Sequence, residues 1–318
     1  MTRWQILNAE PGNYSPAAEE ILRRLGDVRM LQLDRKGLLE SLGQVDVLIV
    51  RLANQIDEEV FAAAPKLKAV VSATTGLDHI DLKAAEHHGV IVLSLRGEVE
   101  FLRSVPATAE LTWGLLLALT RKIPSAFDAV LHGKWDRDRF KGHDLAGKSL
   151  GILGLGRIGH IVARYGIAFG MKVLAYDPAP LEWEGGVEKC SNMGELLGKA
   201  DIVSIHVPLN ASTAGLVGRL ELGQMPGGGL LVNTSRGDVV DEAALLAALE
   251  SGHLAGAALD VLPHERSSEL KESPLIRYAR THSNLILTPH IGGATCESME
   301  ATEIFMAEKL SSFLKSLT

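Results

Sequence analysis

The chain has 318 residues, of which 46% are hydrophobic and 22% are charged, a balance typical of an ordinary soluble globular protein. This length exceeds what one hydrophobic core usually contains, so we expect two domains. The formal net charge of -7 argues against nucleic acid as the main partner, because a phosphate-binding surface carries a basic excess.

The two cysteines, Cys190 and Cys296, have neither a metal-ligand spacing nor the pattern of a disulfide framework. Residues 1–16 lack the apolar stretch of a signal peptide. The longest apolar run, near 111–119, is interrupted by Thr112 and Gly114 and is too short to span a bilayer. We therefore expect a cytoplasmic protein with no membrane partner and no metal site.

The first hundred residues alternate between short apolar runs and segments with helical spacing. Ser15 followed by Pro16 predicts the N-terminus of a helix that extends to about Leu25. Strands are predicted at 4–7, 28–33, 45–50, 68–72 and 90–93, and further helices at 57–64 and 81–88. Continuous apolar strands that alternate with helices favour a parallel sheet covered on both faces.

A second series of the same kind follows a long predicted helix over 107–121 and a polar stretch over 132–148. Strands are predicted at 149–153, 172–176, 202–206, 229–233, 256–259 and 285–287, with helices at 158–169 and 242–251. The chain ends in a predicted amphipathic helix, because five apolar residues recur at helical spacing: Met299, Met306, Leu310, Phe313 and Leu317.

The clearest local motif is a glycine-rich turn between a predicted strand and a predicted helix. Gly154 permits the tight turn, Gly156 lets a pyrophosphate approach the backbone, and Gly159 lets the helix pack against the strand. The next strand ends in Asp177, 18 residues after Gly159, where a carboxylate would bind the ribose hydroxyls and repel a 2′-phosphate. The motif predicts NAD binding, with a purely structural turn or an S-adenosylmethionine site as alternatives.

Oxidation of a hydroxy acid requires a base, a cation that holds the carboxylate, and an acid that tunes the base. Three segments after predicted strands offer such groups: Arg236 in 233–237, Glu265 in 258–265 and His290 in 288–293. Ligands of open α/β sheets bind beyond the carboxyl ends of the strands. Each residue alone has an ordinary structural explanation, but their joint position favours an active site.

The sequence resembles the D-isomer-specific 2-hydroxyacid dehydrogenase family along nearly its whole length. The matching pieces occur in the family's order: LIVR (48–51), TTGLDHIDL (74–82), LAGKSLGILGLGRIG (145–159), HVPLNASTAGLV (206–217), LVNTSRGDVVDEAAL (231–245), GAALDVLPHE (256–265) and TPHIGGAT (288–295). This match is far more specific than the glycine motif alone.

The resemblance implies a role for each matching residue. Arg236 would bind the substrate carboxylate and polarise the carbonyl, His290 would be the general acid/base, and Glu265 would support its protonated form. Asp260 would contact the nicotinamide amide. The other implied cofactor-binding residues are Gly154, Gly156, Arg157, Ile158, Gly159, Asp177, His206, Val207, Pro208, Thr213, Thr234, His290 and Gly292. The implied substrate-binding residues are Arg51, Thr74, Thr75, Gly76 and Arg236.

The resemblance also implies an α/β fold of two doubly wound parallel-sheet domains with a cleft between them. A flavodoxin-like substrate domain would comprise residues 1–104 and 293–318, and a Rossmann NAD-binding domain would comprise residues 105–292. Family members are often dimers that pair through the nucleotide domain, so we expect a homodimer.

The chain departs from the family pattern at three places. Arg266 replaces a frequent proline, and His79 stands where asparagine is common. The stretch 94–111 is longer and more charged than usual and contains Arg96 and Arg103. Our hypothesis is that one of these two arginines recognises a second polar group of the substrate, such as a phosphate.

The sequence therefore predicts an NAD-dependent oxidoreductase that interconverts a D-2-hydroxy acid and its 2-keto acid, with 3-phosphoglycerate and hydroxypyruvate or glyoxylate as candidates. An NAD(H)-sensing binding protein is the alternative, because the co-repressors that resemble this family keep the same three residues. A different chemistry on the same fold, such as methyl transfer or phosphite oxidation, also stays open.

Overall fold

The computed structural model describes residues 3–179, 183, 185–265 and 267–317. The strands are β1 (Trp4–Asn8), β2 (Gly26–Met30), β3 (Val47–Val50), β4 (Ala69–Ser72), β5 (Ile91–Ser94), β6 (Ser149–Leu153), β7 (Lys172–Tyr176), β8 (Val187–Lys189), β9 (Ile202–Ile205), β10 (Gly229–Asn233), β11 (Leu254–Leu259) and β12 (Leu285–Leu287). The helices are α1 (Pro16–Leu25), α2 (Arg35–Ser41), α3 (Glu58–Ala63), α4 (Leu82–His87), α5 (Val99–Leu102), α6 (Ala107–Thr120), α7 (Ile123–Leu131), α8 (Arg157–Ala168), α9 (Met193–Lys199), α10 (Arg219–Gln224), α11 (Glu242–Glu250), α12 (Pro274–Ala279) and α13 (Cys296–Ser316). Short 3-10 helices lie at Asp138–Phe140, Gly237–Val239 and Ser268–Glu272.

The chain divides into two units. Unit 1 comprises Met1–Val105 and Ala294–Thr318, and unit 2 comprises Pro106–Gly293. The boundaries expected from the sequence, 104/105 and 292/293, each lie one residue from these. The chain thus leaves unit 1 once, completes unit 2, and returns to unit 1 for its last helix.

Unit 1 contains a five-stranded sheet in the order β2-β1-β3-β4-β5, whose described pairs are all parallel. Side chains of β3 alternate between two cores, since Leu48 and Val50 pack on one side and Val47 and Ile49 on the other. A strand buried on both faces needs apolar residues at every position, which explains the continuous run VLIV. The predicted doubly wound sheet of the first unit is confirmed.

Capping side chains fix both helices that pack together on one face of unit 1. Ser15 accepts a hydrogen bond from the Ala18 amide at the start of α1, as the Ser-Pro pair predicts. The Thr295 side chain accepts a hydrogen bond from the Ser298 amide at the start of α13. The final helix therefore begins three residues before the first apolar position used to predict it.

Unit 2 contains a seven-stranded sheet in the order β12-β11-β10-β9-β6-β7-β8, again with parallel pairs throughout. The chain runs outward from β6 to β8 and then returns to β9 on the other side of β6. This reversal leaves a crevice beyond the carboxyl ends of β6 and β9, the position where open α/β sheets bind ligands. The predicted second parallel sheet is confirmed.

Several elements differ from the sequence expectation. Strand β2 begins at Gly26 rather than 28, and a Cβ at Gly26 would lie 2.0 Å from the carbonyl oxygen of Trp4 on the neighbouring strand. Glycine thus permits a close approach that apolar periodicity does not reveal. The sequence did not predict α2, α5, α7, α9, α10, α12 or β8, none of which is longer than nine residues.

None of the helices in the described ranges combines the length and the apolar character that crossing a membrane requires. Cys190 is buried and Cys296 is exposed, and both are free thiols.

Candidate active site

The glycine turn joins β6 to α8 in unit 2, and each of its three glycines meets a different constraint. Gly154 has a φ of +92°, a region that favours glycine, and Gly159 approaches the Gly154 carbonyl oxygen so closely that a Cβ would lie 2.2 Å from it. Nothing lies within 4 Å of the Cβ position at Gly156. The open space beside Gly156 faces the start of α8, where backbone N–H groups attract anions.

Asp177 follows β7, and its carboxylate connects the glycine turn to the loop after β7 by hydrogen bonds. Its Oδ2 accepts a hydrogen bond from the Leu155 amide at 2.8 Å, and its Oδ1 accepts one from Ala179 at 2.8 Å. The carboxylate is therefore held beside the turn at the end of the second strand. The open approach at Gly156, the helix N-terminus and this placed acid fit a dinucleotide with free ribose hydroxyls.

His206 follows β9 across the crevice from the glycine turn. A hydrogen bond of 2.8 Å joins its Nε2 to the hydroxyl of Ser204, and its amide donates to the Leu153 carbonyl at 2.8 Å. Burial lowers the pKa of His206 from 6.5 to about 3, so the ring stays neutral at physiological pH. A neutral histidine lines this part of the crevice.

The remaining predicted cofactor residues of unit 2 have varied surroundings. Thr213 donates a 2.5 Å hydrogen bond to the carbonyl of Pro208, and Val207 is buried. Burial also lowers the pKa of Arg157 at the start of α8. Thr234 follows β10, and its hydroxyl lies 2.8 Å from that of Thr112 on α6. This last contact, which sequence reasoning missed, fixes the end of β10.

His290 and Glu265 form the closest pair of titratable groups in this region. The Nδ1 atom of His290 lies 2.5 Å from the Oε1 atom of Glu265, and the two side chains are 20% and 24% exposed. This contact orients the imidazole so that Nε2 is the ring nitrogen left for proton exchange. His290 also has a φ of +54°, an uncommon conformation for a residue other than glycine.

Asp260 holds the backbone around His290 in this left-handed conformation. Its Oδ1 accepts hydrogen bonds from the Thr288 hydroxyl at 2.6 Å and the Ile291 amide at 2.9 Å. Its Oδ2 accepts one from the Gly292 amide at 2.7 Å, and its own carbonyl accepts one from the His290 amide at 2.8 Å. Burial raises the pKa of this carboxyl. Asp260 was expected to contact the cofactor, and the structure reveals a further role in holding the His290 segment.

Arg236 lies in a loop that Asn233 organises from the end of β10. The Asn233 side chain donates to the Arg236 carbonyl at 2.9 Å and accepts from the Ser235 amide at 3.0 Å. An Asn side chain that bonds the backbone two residues further on forms a turn, and Asn233 is the local sequence signal that could have located this loop. The Nη1 atom of Arg236 donates to the Ser235 carbonyl at 2.8 Å.

Gly237 brings the Arg236 and Glu265 segments together. A Cβ at this position would lie 2.0 Å from the carbonyl carbon of Leu262 and 2.3 Å from the nitrogen of Pro263. Only glycine allows two backbones to approach so closely. The structure thus joins His290 to Glu265 directly and sets the Arg236 loop against the chain that leads to Glu265, all within unit 2.

The predicted substrate residues other than Arg236 lie in unit 1, beyond the carboxyl ends of β3 and β4. The Thr74 hydroxyl donates to the Gly76 carbonyl at 2.8 Å and lies 2.9 Å from the Ser72 hydroxyl, which in turn lies 3.2 Å from Nε2 of His79. His79 is fully buried, so this departure from the family pattern supports the Thr74–Gly76 loop, which includes Thr75.

Arg51 follows β3 and is bound within unit 1. Its guanidinium pairs with Glu303 and donates to the Gly12 carbonyl at 2.6 Å. Arg103 pairs with Glu100 at 3.0 Å and is 70% exposed, and Arg96 is exposed. Arg266 lies outside the described residues. Glu58, His87 and His88 are the described residues whose ligand atoms are close enough to hold a metal ion, and all three are exposed.

The chain is similar to known proteins over nearly its whole length. Residues 113–292 match the model of the D-isomer specific 2-hydroxyacid dehydrogenase, NAD binding domain. D-3-phosphoglycerate dehydrogenase of Methanocaldococcus jannaschii is 39% identical over 302 residues, which cover 94% of this chain and 55% of the relative. Hydroxypyruvate reductase of Thermotoga maritima is 37% identical, with 89% of this chain and 90% of the relative covered.

A solved structure of D-lactate dehydrogenase from Aquifex aeolicus, complexed with NAD and lactic acid, has a TM-score of 0.86 at 30% identity. The alignment covers 98% of this chain and 95% of that one. The chain spans about half the length of the phosphoglycerate dehydrogenase relatives and most of the length of the reductase.

Proposed function

The chain belongs to the D-isomer-specific 2-hydroxyacid dehydrogenase family, and we propose that it interconverts a small 2-hydroxy acid and its 2-keto acid with NAD as the cofactor. The observation that carries this proposal is the 2.5 Å contact between His290 and Glu265, held by Asp260 in the unit that carries the glycine turn. A histidine oriented by a carboxylate is the arrangement that general acid/base catalysis requires.

Bound NAD(H) would supply or accept the hydride. His290 exchanges a proton at Nε2 with the substrate oxygen, while Glu265 at Nδ1 stabilises the protonated imidazole. Arg236 holds the substrate carboxylate and polarises the carbonyl, because a guanidinium offers paired donors that match a carboxylate. Gly237 and Asn233 keep the Arg236 loop in place.

The proposed cofactor-binding residues are those of the glycine turn and its surroundings. The N-terminus of α8 would hold the pyrophosphate beside Gly156, and Asp177 would bind the adenosine ribose. On unit 1, Arg51 and the Thr74–Gly76 loop are the proposed substrate contacts.

The proposal is tested by following NADH consumption against glyoxylate, hydroxypyruvate, phosphohydroxypyruvate, pyruvate and 2-ketoisocaproate. We expect turnover with at least one of these keto acids and much weaker activity with NADPH. Tight NADH binding without turnover of any of these keto acids would contradict the proposed dehydrogenase activity and favour an NAD(H)-sensing protein.

We also propose that the protein is a homodimer that pairs through α7. Four large apolar side chains of this helix are exposed, followed by Trp135, which is 89% exposed: Ile123 (51%), Phe127 (65%), Val130 (48%) and Leu131 (68%). An apolar surface of this size on one helix favours a second copy as its occupant. Replacing Phe127 with Asp is expected to yield monomers in analytical ultracentrifugation. As a control, replacing Leu220, which is 77% exposed on α10, with Asp is expected to leave the dimer intact.

The proposed location is the cytoplasm, supported by the free thiols of Cys190 and Cys296. The net charge of -7 supports a small-molecule substrate rather than nucleic acid.

A further inference from the structure

One arginine and two buried carboxylates lie beyond the carboxyl ends of β1, β3 and β4, three neighbouring strands of unit 1. Glu10 follows β1, Arg51 follows β3, and the Thr74–Gly76 loop follows β4, so all three lie at the same edge of neighbouring parallel strands. Glu303 reaches this edge from α13. Substrate groups that approach unit 1 at these strand ends meet this set of charges.

Arg51 is held by unit 1 on several sides. Its Nη2 pairs with Oε1 of Glu303, its Nη1 donates to the Gly12 carbonyl at 2.6 Å, and its guanidinium lies 5.9 Å from the centre of the Tyr14 ring. The Arg51 side chain is 24% exposed, whereas that of Glu303 is 3% exposed. A guanidinium has five N–H donors, so Arg51 keeps donors for a substrate although its charge is already balanced.

The Glu303 carboxylate is fully engaged within unit 1. Besides Arg51, it accepts a 2.7 Å hydrogen bond from the amide of Ser15, which caps α1. A buried carboxylate is tolerated only where such partners compensate for lost hydration. Burial and the nearby Glu303 raise the pKa of Tyr14, so its phenol stays neutral and adds no charge to the edge.

Glu10 adds a second buried negative group. Its carboxylate accepts hydrogen bonds from the amides of Arg51, Ala53 and Asn54 at 3.1, 3.0 and 2.9 Å, and from the Asn54 side chain at 3.0 Å. These donors are backbone amides and one side-chain amide, and they organise the loop after β3. One cation and two carboxylates make the ends of β1, β3 and β4 unfavourable for a substrate with a second, strongly anionic group. Lys309 and Glu98 pair with each other beyond the end of β5, on the far side of β4, where Arg96 is exposed.

We propose that Glu303 is a specificity-determining residue, which balances the charge of Arg51 so that the enzyme favours 2-keto acids with an uncharged side chain over phosphorylated ones. This inference rests on the proposed function and assigns the substrate class of that site. A phosphate beside Arg51 would be repelled by the adjacent Glu303 carboxylate, whereas a hydroxymethyl group can accept from the remaining N–H donors without that repulsion.

The test compares kcat/KM for hydroxypyruvate and phosphohydroxypyruvate in the wild-type protein and in Glu303→Gln. The wild type is expected to favour hydroxypyruvate, and Glu303→Gln is expected to shift the ratio towards phosphohydroxypyruvate by about tenfold, because Arg51 then carries an unbalanced charge. Glu98→Gln is the matched control. Glu98 also pairs with a cation of unit 1, since it lies 2.5 Å from Lys309, but its partner is not Arg51. The ratio of the two kcat/KM values in Glu98→Gln should therefore stay at the wild-type value.

Arg51→Gln provides a second variant in case Glu303→Gln does not fold. It leaves both carboxylates without the cation, and the ratio is expected to move further towards hydroxypyruvate. An unchanged ratio in either folded variant, or an equal shift in Glu98→Gln, would overturn the role of Glu303. Absence of turnover with every keto acid in the wild type would instead overturn the proposed function.

Discussion

Nδ1 of His290 lies 2.5 Å from Oε1 of Glu265. This contact joins the loops that follow β11 and β12, two neighbouring strands of unit 2. Because Glu265 binds Nδ1, the proposed proton exchange takes place at Nε2. Replacing His290 with Ala is expected to lower kcat by about 10²- to 10⁴-fold, and Glu265→Gln by a smaller factor, while NADH binding survives. Steady-state kinetics and NADH fluorescence titration measure the two effects.

The exposed His143 serves as the control for this pair of variants, and His143→Ala should leave kcat unchanged. Wild-type turnover in His290→Ala would remove His290 from the acid/base role.

Asp260 accepts hydrogen bonds from Thr288, Ile291 and Gly292, and so holds His290 in its left-handed conformation. Asp260→Ala is expected to lower both kcat and the free energy of unfolding, the latter by about 2 to 3 kcal/mol, because buried donors lose their acceptor. Asp241→Ala, which removes the cap of α11, should cost about 1 kcal/mol and leave kcat unchanged. Equal kinetic effects of the two changes would contradict a positioning role for Asp260.

Gly237 lies where a Cβ would be 2.0 Å from the Leu262 carbonyl carbon. Gly237→Ala is therefore expected to push the Arg236 loop away from the chain that leads to Glu265 and to reduce kcat/KM by at least about 100-fold, since small displacements of catalytic groups are costly. The control is Gly223→Ala on α10, where nothing lies within 4 Å of the Cβ position and alanine suits a helix. Full activity in Gly237→Ala would refute this account of the loop contact.

Asp177 holds a negative charge beside the glycine turn through its contacts with Leu155 and Ala179. Asp177→Asn retains an acceptor but removes the charge that repels a 2′-phosphate, so the preference for NADH over NADPH is expected to fall by about tenfold. The measurement is kcat/KM with each cofactor. Asp201→Asn changes a carboxylate that binds Ser149 at the start of β6, and its cofactor preference should match the wild type.

The pKa of His206 is about 3 in the folded protein, against 6.5 for the unperturbed group. Below about pH 6.5 the unfolded chain therefore binds a proton that the folded chain does not, and stability falls as the pH drops towards 3. Between about pH 7.5 and pH 5 this difference amounts to about 1 to 2 kcal/mol. Urea unfolding should show that His206→Gln loses less stability over this interval than the wild type. An identical loss in both proteins would refute the assignment.

The local sequence was sufficient for the features that depend on neighbouring residues along the chain. Apolar runs such as VLIV predicted β3, because a strand between two helical layers must be apolar at every position. The glycine turn and Asp177 predicted a dinucleotide site, because the conformations and distances involved are set within one strand–helix–strand unit. Short elements such as α12 and β8 were missed, because their stability comes from packing and strand pairing that no local pattern records.

The sequence by itself determined the fold class, the dinucleotide motif and, through the family resemblance, the identity of the three proposed catalytic residues. Only the tertiary structure decided that Asp260 braces His290 and that Gly237 joins two loops by backbone contact. It also decided that Arg51 pairs with Glu303, 252 residues away. The physical reason is the same in each case, since these contacts connect residues from different strands and helices and depend on how those elements pack in three dimensions.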